Sequence, residues 1–149
     1  VNRECKDINL LIAGNGRIYF DMTQYADKDF IKIENRYIGI SELAGLISNS
    51  LFVVCPYKDA TQSGVIQTAF ALDVPVVGTN VGALPEMIQD DIYGKIVPPC
   101  DSEMLASVIV ELIKDKKKLC TFKKNIKKQW LSSMSWKPIA DVYVDLYKE

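Results

Sequence analysis

No histidine occurs anywhere in the 149 residues. A Ser-His-Asp triad, a histidine general base and a zinc-histidine site are therefore all beyond the chain's own means. Its four cysteines, Cys5, Cys55, Cys100 and Cys120, lie far apart and form no CxxC or other metal-ligand spacing. Cys55 sits in an apolar run and reads as a small buried hydrophobe rather than a nucleophile. Such a set suits a reducing, cytoplasmic home. No apolar run approaches the ~20 residues that a membrane-spanning helix needs, and no signal-peptide pattern is present. Neither sign of charge dominates: 18 basic residues against 19 acidic ones leave −1, which asks for no nucleic-acid partner. The local exception is the basic cluster at 114–128. It reads first as a solvated helix face and, functionally, as an attraction to anionic lipid headgroups.

What is present is ordinary globular material, 48% hydrophobic and 25% charged, enough for one domain with one core. The chain opens with VNRECKD and enters an apolar strand at once, without a starting Met or a leading helix, so a piece of a longer protein is expected. Strand and helix signals then alternate without a linker. INLLIAG (8–14) is a continuous apolar run ended by Gly14-Asn15-Gly16, as expected of a strand buried on both faces. Residues 17–28 are expected to be helical, gathering Ile18, Phe20, Met22 and Tyr25 on one side. One or two short strands fall in 30–38, and Ser41 is placed to cap the next helix. LFVVCP (51–56), VPVVGT (74–79) and KIV (95–97) are further strands. Helices are expected at about 63–72, 85–88, after Asp101, at 117–131 and at 135–148. This alternation predicts an α/β fold, a Rossmann-like parallel sheet with helices on both faces.

In such sheets the ligand sits beyond the carboxyl ends of the strands. Three loops qualify: 14–16, 57–64 and 79–82. Gly14-Asn15-Gly16 begins like a dinucleotide fingerprint, but Tyr19 stands where the third glycine belongs, which weakens a nicotinamide-cofactor reading. A tight turn and a ligand contact fit it equally. DATQSGV (59–65) carries a polar loop into a helix start, where unpaired N–H groups suit a phosphate. There Gly64 permits close approach and Ser63 can add a hydroxyl donor. An N-cap followed by a small packing residue explains the same letters, and the local argument leaves both standing. TNVGALPE (79–86) contains a glycine turn and a proline able to start a helix. Its Glu86 is either an acid complementing that helix start or a site residue.

Taken in order, PYKDATQSGVIQTAFALDVPVVGTNVGALPEMI, DDIYGKIVPPCD, LLIAGNG and the closing SWKPIADVYVDLY resemble the C-terminal domain of GT-B retaining glycosyltransferases of family 4, glycosyl transferases group 1. The resemblance spans nearly the whole chain. It implies a nucleotide-sugar-binding domain (residues 1–149), one half of a GT-B architecture, lacking its first strand and the N-terminal acceptor-binding domain. The donor would be a UDP- or GDP-type nucleotide sugar and the acceptor a glycan or lipid-linked acceptor, as in polysaccharide biosynthesis. Transfer would retain configuration, with no metal and no cofactor. Position by position, Asp59 takes the place of the first acidic residue of the family's E-x7-E pattern, the catalytic position facing the transferred sugar. Gln62, Ser63, Gly64 and Val65 fall on the diphosphate contacts, Gly14 and Gly16 on the donor-side turn, and Tyr37 and Ile38 on the base contacts. The second, ribose-binding glutamate falls at Thr68, or at Gln67 if counted eight on from Asp59, and neither is acidic. The family's basic Arg/Lys pair is also missing, since Arg3 and Lys6 do not match it. The chain alone is thus expected to be inactive.

Trp136, Ile139, Val142, Tyr143 and Leu146 form an apolar stripe that the resemblance sends across to the N-terminal domain, and that ordinary core packing also explains. Cytoplasmic placement follows, with peripheral contact at the inner face of the membrane open to the full protein. The competing readings are a non-catalytic nucleotide-binding module, a GT-B-fold sugar-nucleotide epimerase and, last, a nicotinamide-dependent dehydrogenase.

Overall fold

The computed structural model describes residues 1, 4–19, 21, 23–25, 28–129 and 136–148, with the backbone only at 24, 136, 138 and 139. Two parallel sheets carry the fold. In the first, β1 (Leu10–Gly14) pairs with β2 (Ile31–Asn35). In the second, β3 (Val53–Cys55), β4 (Val76–Thr79) and β5 (Gly94–Val97) lie in that order. Helices connect and cover them: α1 (Ile40–Ser48), α2 (Gly64–Ala71), α3 (Leu84–Ile88), α4 (Ser102–Lys114), α5 (Lys116–Gln129) and α6 (Trp136–Leu146).

The second sheet follows directly from its sequence. β4 is buried at all four positions, as a short run of small and β-branched residues covered on both faces should be. Its alternate side chains divide the core. Val76 joins Ile47, Ile66, Ala69, Phe70, Leu84 and Ile88 under α1, α2 and α3. Val77 joins Val97, Val108, Leu112, Leu119 and Phe122 under α4 and α5. Gly94 is needed for the strand spacing, because a Cβ there would lie 1.8 Å from the Val76 carbonyl oxygen.

Several expectations need correction. β1 is exposed at every residue, with Leu10, Leu11 and Ile12 between 38% and 45% accessible, so it is not a strand buried on both faces. Its apolar pattern is right for such a strand. Among the described residues, however, it pairs with β2 alone, and no helix layer packs on it closely enough to exclude water. Residues 17–28 are not a continuous helix: among the described residues there, the one helical element is a 3₁₀ turn at Thr23–Tyr25, where the Asp21 carboxylate accepts from the Thr23 amide and hydroxyl. Phe20 and Met22 lie outside the described residues. The cap of α1 is Gly39, not Ser41, and no side chain accepts from its first turn. The expected caps at Ser63 and Asp101 are present, accepting from the amides of Ile66 and Met104. On α6, Val142, Tyr143 and Leu146 are all more than 60% accessible, so core packing does not hold for them. The side chains of Trp136 and Ile139 lie outside the described residues.

Candidate functional site

The loops after β3 and β4 are fastened to each other. The Ala83 amide donates to the Thr61 carbonyl (3.1 Å), and the Thr79 hydroxyl donates to the Tyr57 carbonyl (2.6 Å). Gly82 has φ +49°, and a Cβ on it would stand 1.7 Å from the Ala60 carbonyl oxygen. Only glycine satisfies both the backbone conformation and this contact. The two loops thus form one rim at the carboxyl ends of parallel strands.

Ser63 starts α2 from inside that rim. Its Oγ accepts from the Ile66 amide at 3.4 Å and lies 3.0 Å from the Tyr57 hydroxyl. Ser63 is only 4% accessible, so its hydroxyl is set among the cap amide and the Tyr57 hydroxyl rather than in open solvent. The amides of Gly64 and Val65 precede the helical hydrogen-bonding ladder and have no protein acceptor among the described residues. A Cβ at Gly64 would meet nothing within 4 Å, so the helix opens onto free space. Asp59 and Gln62 are exposed in the same loop, and Val65 is half-buried against the core. Thr68 donates its hydroxyl to the Gly64 carbonyl at 2.8 Å, one turn back along the helix. Burial pushes the Tyr57 hydroxyl's pKa up and keeps it protonated. Burial does the same to the Cys55 thiol, which suits a packed residue rather than a nucleophile.

The remaining candidates form a second group. The Gly16 amide donates to the Asn35 side chain (3.1 Å), and the Gly14 carbonyl accepts from the Arg36 amide (2.8 Å). Tyr37, 75% exposed, and the half-buried Ile38 follow in the loop that enters α1. Arg36 bonds Glu34 and Glu42, and both carboxyls are held below the usual carboxylate range, Glu42 chiefly by Arg36 and Glu34 by Lys32 and then Arg36. Each group lies where a strand of a parallel pair feeds a helix, and those helices, α1 and α2, pack together. Sequence reasoning missed Tyr57, Thr79 and Gly82 as the fasteners. The glycine turn at Gly82 was visible, but its partner at Ala60 was not.

Glu86 lies in the first turn of α3, exposed. It also lines a largely apolar cavity of about 240 Å³ among Phe70, Met87, Tyr93 and Ile126, to which no residue of the 57–65 loop contributes.

Parallel strands, helices on both faces and a loop rim at the strand ends define an α/β domain of the Rossmann-like kind. The family described as glycosyl transferases group 1 matches residues 1–115. The chain belongs to that family, and its fold is that of GT-B C-terminal domains. It is 27% identical over 110 residues to N-acetyl-alpha-D-glucosaminyl L-malate synthase of Bacillus anthracis, a match covering 73% of this chain and 29% of that protein. Among solved structures it is similar to sucrose-phosphate synthase of Thermosynechococcus elongatus (TM-score 0.78, 24% identity, 94% of this chain and 38% of that one). The C-terminal domain of a glycosyl transferase group 1 family protein from Francisella tularensis matches with TM-score 0.68 at 23% identity, covering 78% of this chain and 60% of that one. Anabaena HepE in complex with UDP matches with TM-score 0.67 at 20% identity, covering 86% of this chain and 35% of that one. The chain thus spans less than a third of the curated relative's length.

Proposed function

We propose that this chain is the donor-binding unit of a retaining glycosyltransferase, and that the rim at 57–65 and 79–83 receives the diphosphate of a UDP- or GDP-type sugar. The observation that carries the reading is the α2 N-terminus: two unpaired amides, an open approach at Gly64 and a carboxylate at Asp59, all on a loop held rigid by its neighbour. A helix start of this kind attracts a diphosphate by its amides and by the helix dipole. It would also stabilise the negative charge that gathers on the leaving group as the sugar departs. Asp59, four residues before the helix cap, is placed to face the sugar. The 14–16 and 35–38 turns would complete the nucleotide side, with Thr68 or Gln67 near the ribose. Anabaena HepE, which shares this fold, was solved with UDP, and that supports the choice of ligand.

The transferase would need more than this chain. In a doubly wound sheet of order 3-2-1-4-5-6 the first strand lies between the second and the fourth. If β1 and β2 are one flank and β3, β4 and β5 the other, the place between β1 and β3 belongs to a strand this chain does not supply. We read the missing strand, the acceptor-binding domain and the main phosphate cations as parts of a longer protein, whose acceptor would be a glycan or a lipid-linked molecule. Calorimetry against UDP, GDP and ADP tests the reading. One nucleoside diphosphate should bind with Kd of about 0.1–1 mM, about 4–5.5 kcal/mol, and the chain alone should transfer no sugar. Silence toward all three at several millimolar contradicts the donor-site assignment. Turnover by the isolated chain contradicts its dependence on further parts.

A further inference from the structure

The basic cluster becomes sharper in three dimensions. α5 contains Lys116, Lys117, Lys118, Lys123, Lys124, Lys127 and Lys128 and no acidic residue. One helix therefore holds seven of the 18 basic residues, and the rest of the chain has 11 against 19 acids. The charge is segregated rather than small.

The helix is held so that this charge faces outward. Leu119, Phe122 and Ile126 are buried in the core, and they are α5's only large apolar side chains. On one flank Lys118 pairs with Asp91 (2.7 Å) and Glu111 (2.9 Å), and Asn125 donates to the Ile92 carbonyl. Those contacts use up the acids that α4 and the turn before β5 direct at α5. Lys118 holds the Asp91 carboxyl below its usual range, so this clamp is ionised at neutral pH. The other six lysines are exposed. At 100° per residue they fall within an arc of about 140°, shared only with the exposed Cys120. None of the six makes an ion pair with a described residue.

We propose that this lysine face of α5 docks the protein on a bilayer surface rich in anionic phospholipids. Four to eight lysines on one amphipathic helix match the charge density of such a surface. The shape of the face favours a lipid plane over nucleic acid. It is a convex helix side with no aromatic residue for stacking bases and no arginine for bidentate contacts to phosphates or bases. Since the apolar side of α5 is consumed by the core, the helix rests on the headgroups without inserting. Attachment is therefore electrostatic and is screened within about 8 Å at physiological salt. This inference is independent of the sugar-transfer reading, because it needs no donor or acceptor.

Flotation with phosphatidylcholine vesicles, with and without phosphatidylglycerol, tests it on the intact chain. The protein should float only with the phosphatidylglycerol vesicles and should be released by high salt. About 1 kcal/mol per lysine, or roughly fivefold in partition, predicts a loss on the order of 100-fold for the triple variant Lys123→Gln/Lys124→Gln/Lys127→Gln. All three side chains are exposed, so its circular dichroism and melting should match the parent. A control carrying Lys6→Gln/Lys28→Gln/Lys137→Gln removes the same charge elsewhere and should keep most of the binding. Equal flotation with neutral vesicles, no flotation with either kind, or undiminished binding by the α5 variant each overturns the proposal. Retention on a DNA duplex without flotation assigns the face to nucleic acid and overturns it as well.

Discussion

Leu10–Gly14 and Val76–Thr79 are parallel strands of similar apolar character, yet every residue of the first is exposed and every residue of the second is buried. The difference lies in their surroundings. β4 has a strand on each side and helices above and below: α1, α2 and α3 on one face, and α4 with the first part of α5 on the other. β1 has β2 on one side and no strand among the described residues on the other. A strand's apolar pattern therefore records the layers it is meant to meet, and β1 has a pattern for more neighbours than it has here.

The largest effects should separate the two regions. Ile66→Ala in the buried core should cost about 2–5 kcal/mol, while Ile12→Ala on the exposed β1 should cost less than about 1 kcal/mol, both read from urea denaturation. Comparable losses would mean that β1 is as well packed in solution as β4. Gly82→Ala forces both a positive φ and a contact with the Ala60 carbonyl. It should lose about 2–3 kcal/mol and weaken nucleotide binding together; a stable variant with unchanged binding would show that the two loops need not be fastened. Smaller again is Ser63→Ala, which removes the α2 cap and should cost about 1 kcal/mol. Tyr57→Phe, which leaves that cap in place, should cost about 0.5–1.5 kcal/mol in the same assay. If Tyr57→Phe costs much more than Ser63→Ala, the hydroxyl pair rather than the cap holds the loop. Amide hydrogen exchange sharpens the same contrast without mutation, with β1 and β2 expected to exchange well before β4.

Most of the second sheet was legible because its letters were locally consistent. Short runs rich in valine and isoleucine, bounded by turns, gave β3, β4 and β5. The loop ending at Ser63 and the residue Asp101 gave two helix starts, those of α2 and α4. The place of the candidate loops was legible in outline for the same reason, since a loop between a buried strand and a capped helix lies at the strand end. The fasteners were not legible. Nothing local ties Gly82 to Ala60 or Thr79 to Tyr57, which stand 22 residues apart along the chain and meet only because β3 and β4 pair in register. Residues 17–28 misled because apolar spacing does not show that the Asp21 carboxylate caps a 3₁₀ turn at Thr23–Tyr25.

The α2 N-terminus is the central claim, and the Gly64 and Val65 amides are its direct reporters. Titrating UDP and GDP into isotopically labelled protein should shift those two amide resonances first and furthest, together with those of Thr61 and Gln62, as one of the nucleotides saturates the site. Saturation that moves resonances elsewhere while leaving Gly64 and Val65 in place would contradict the account.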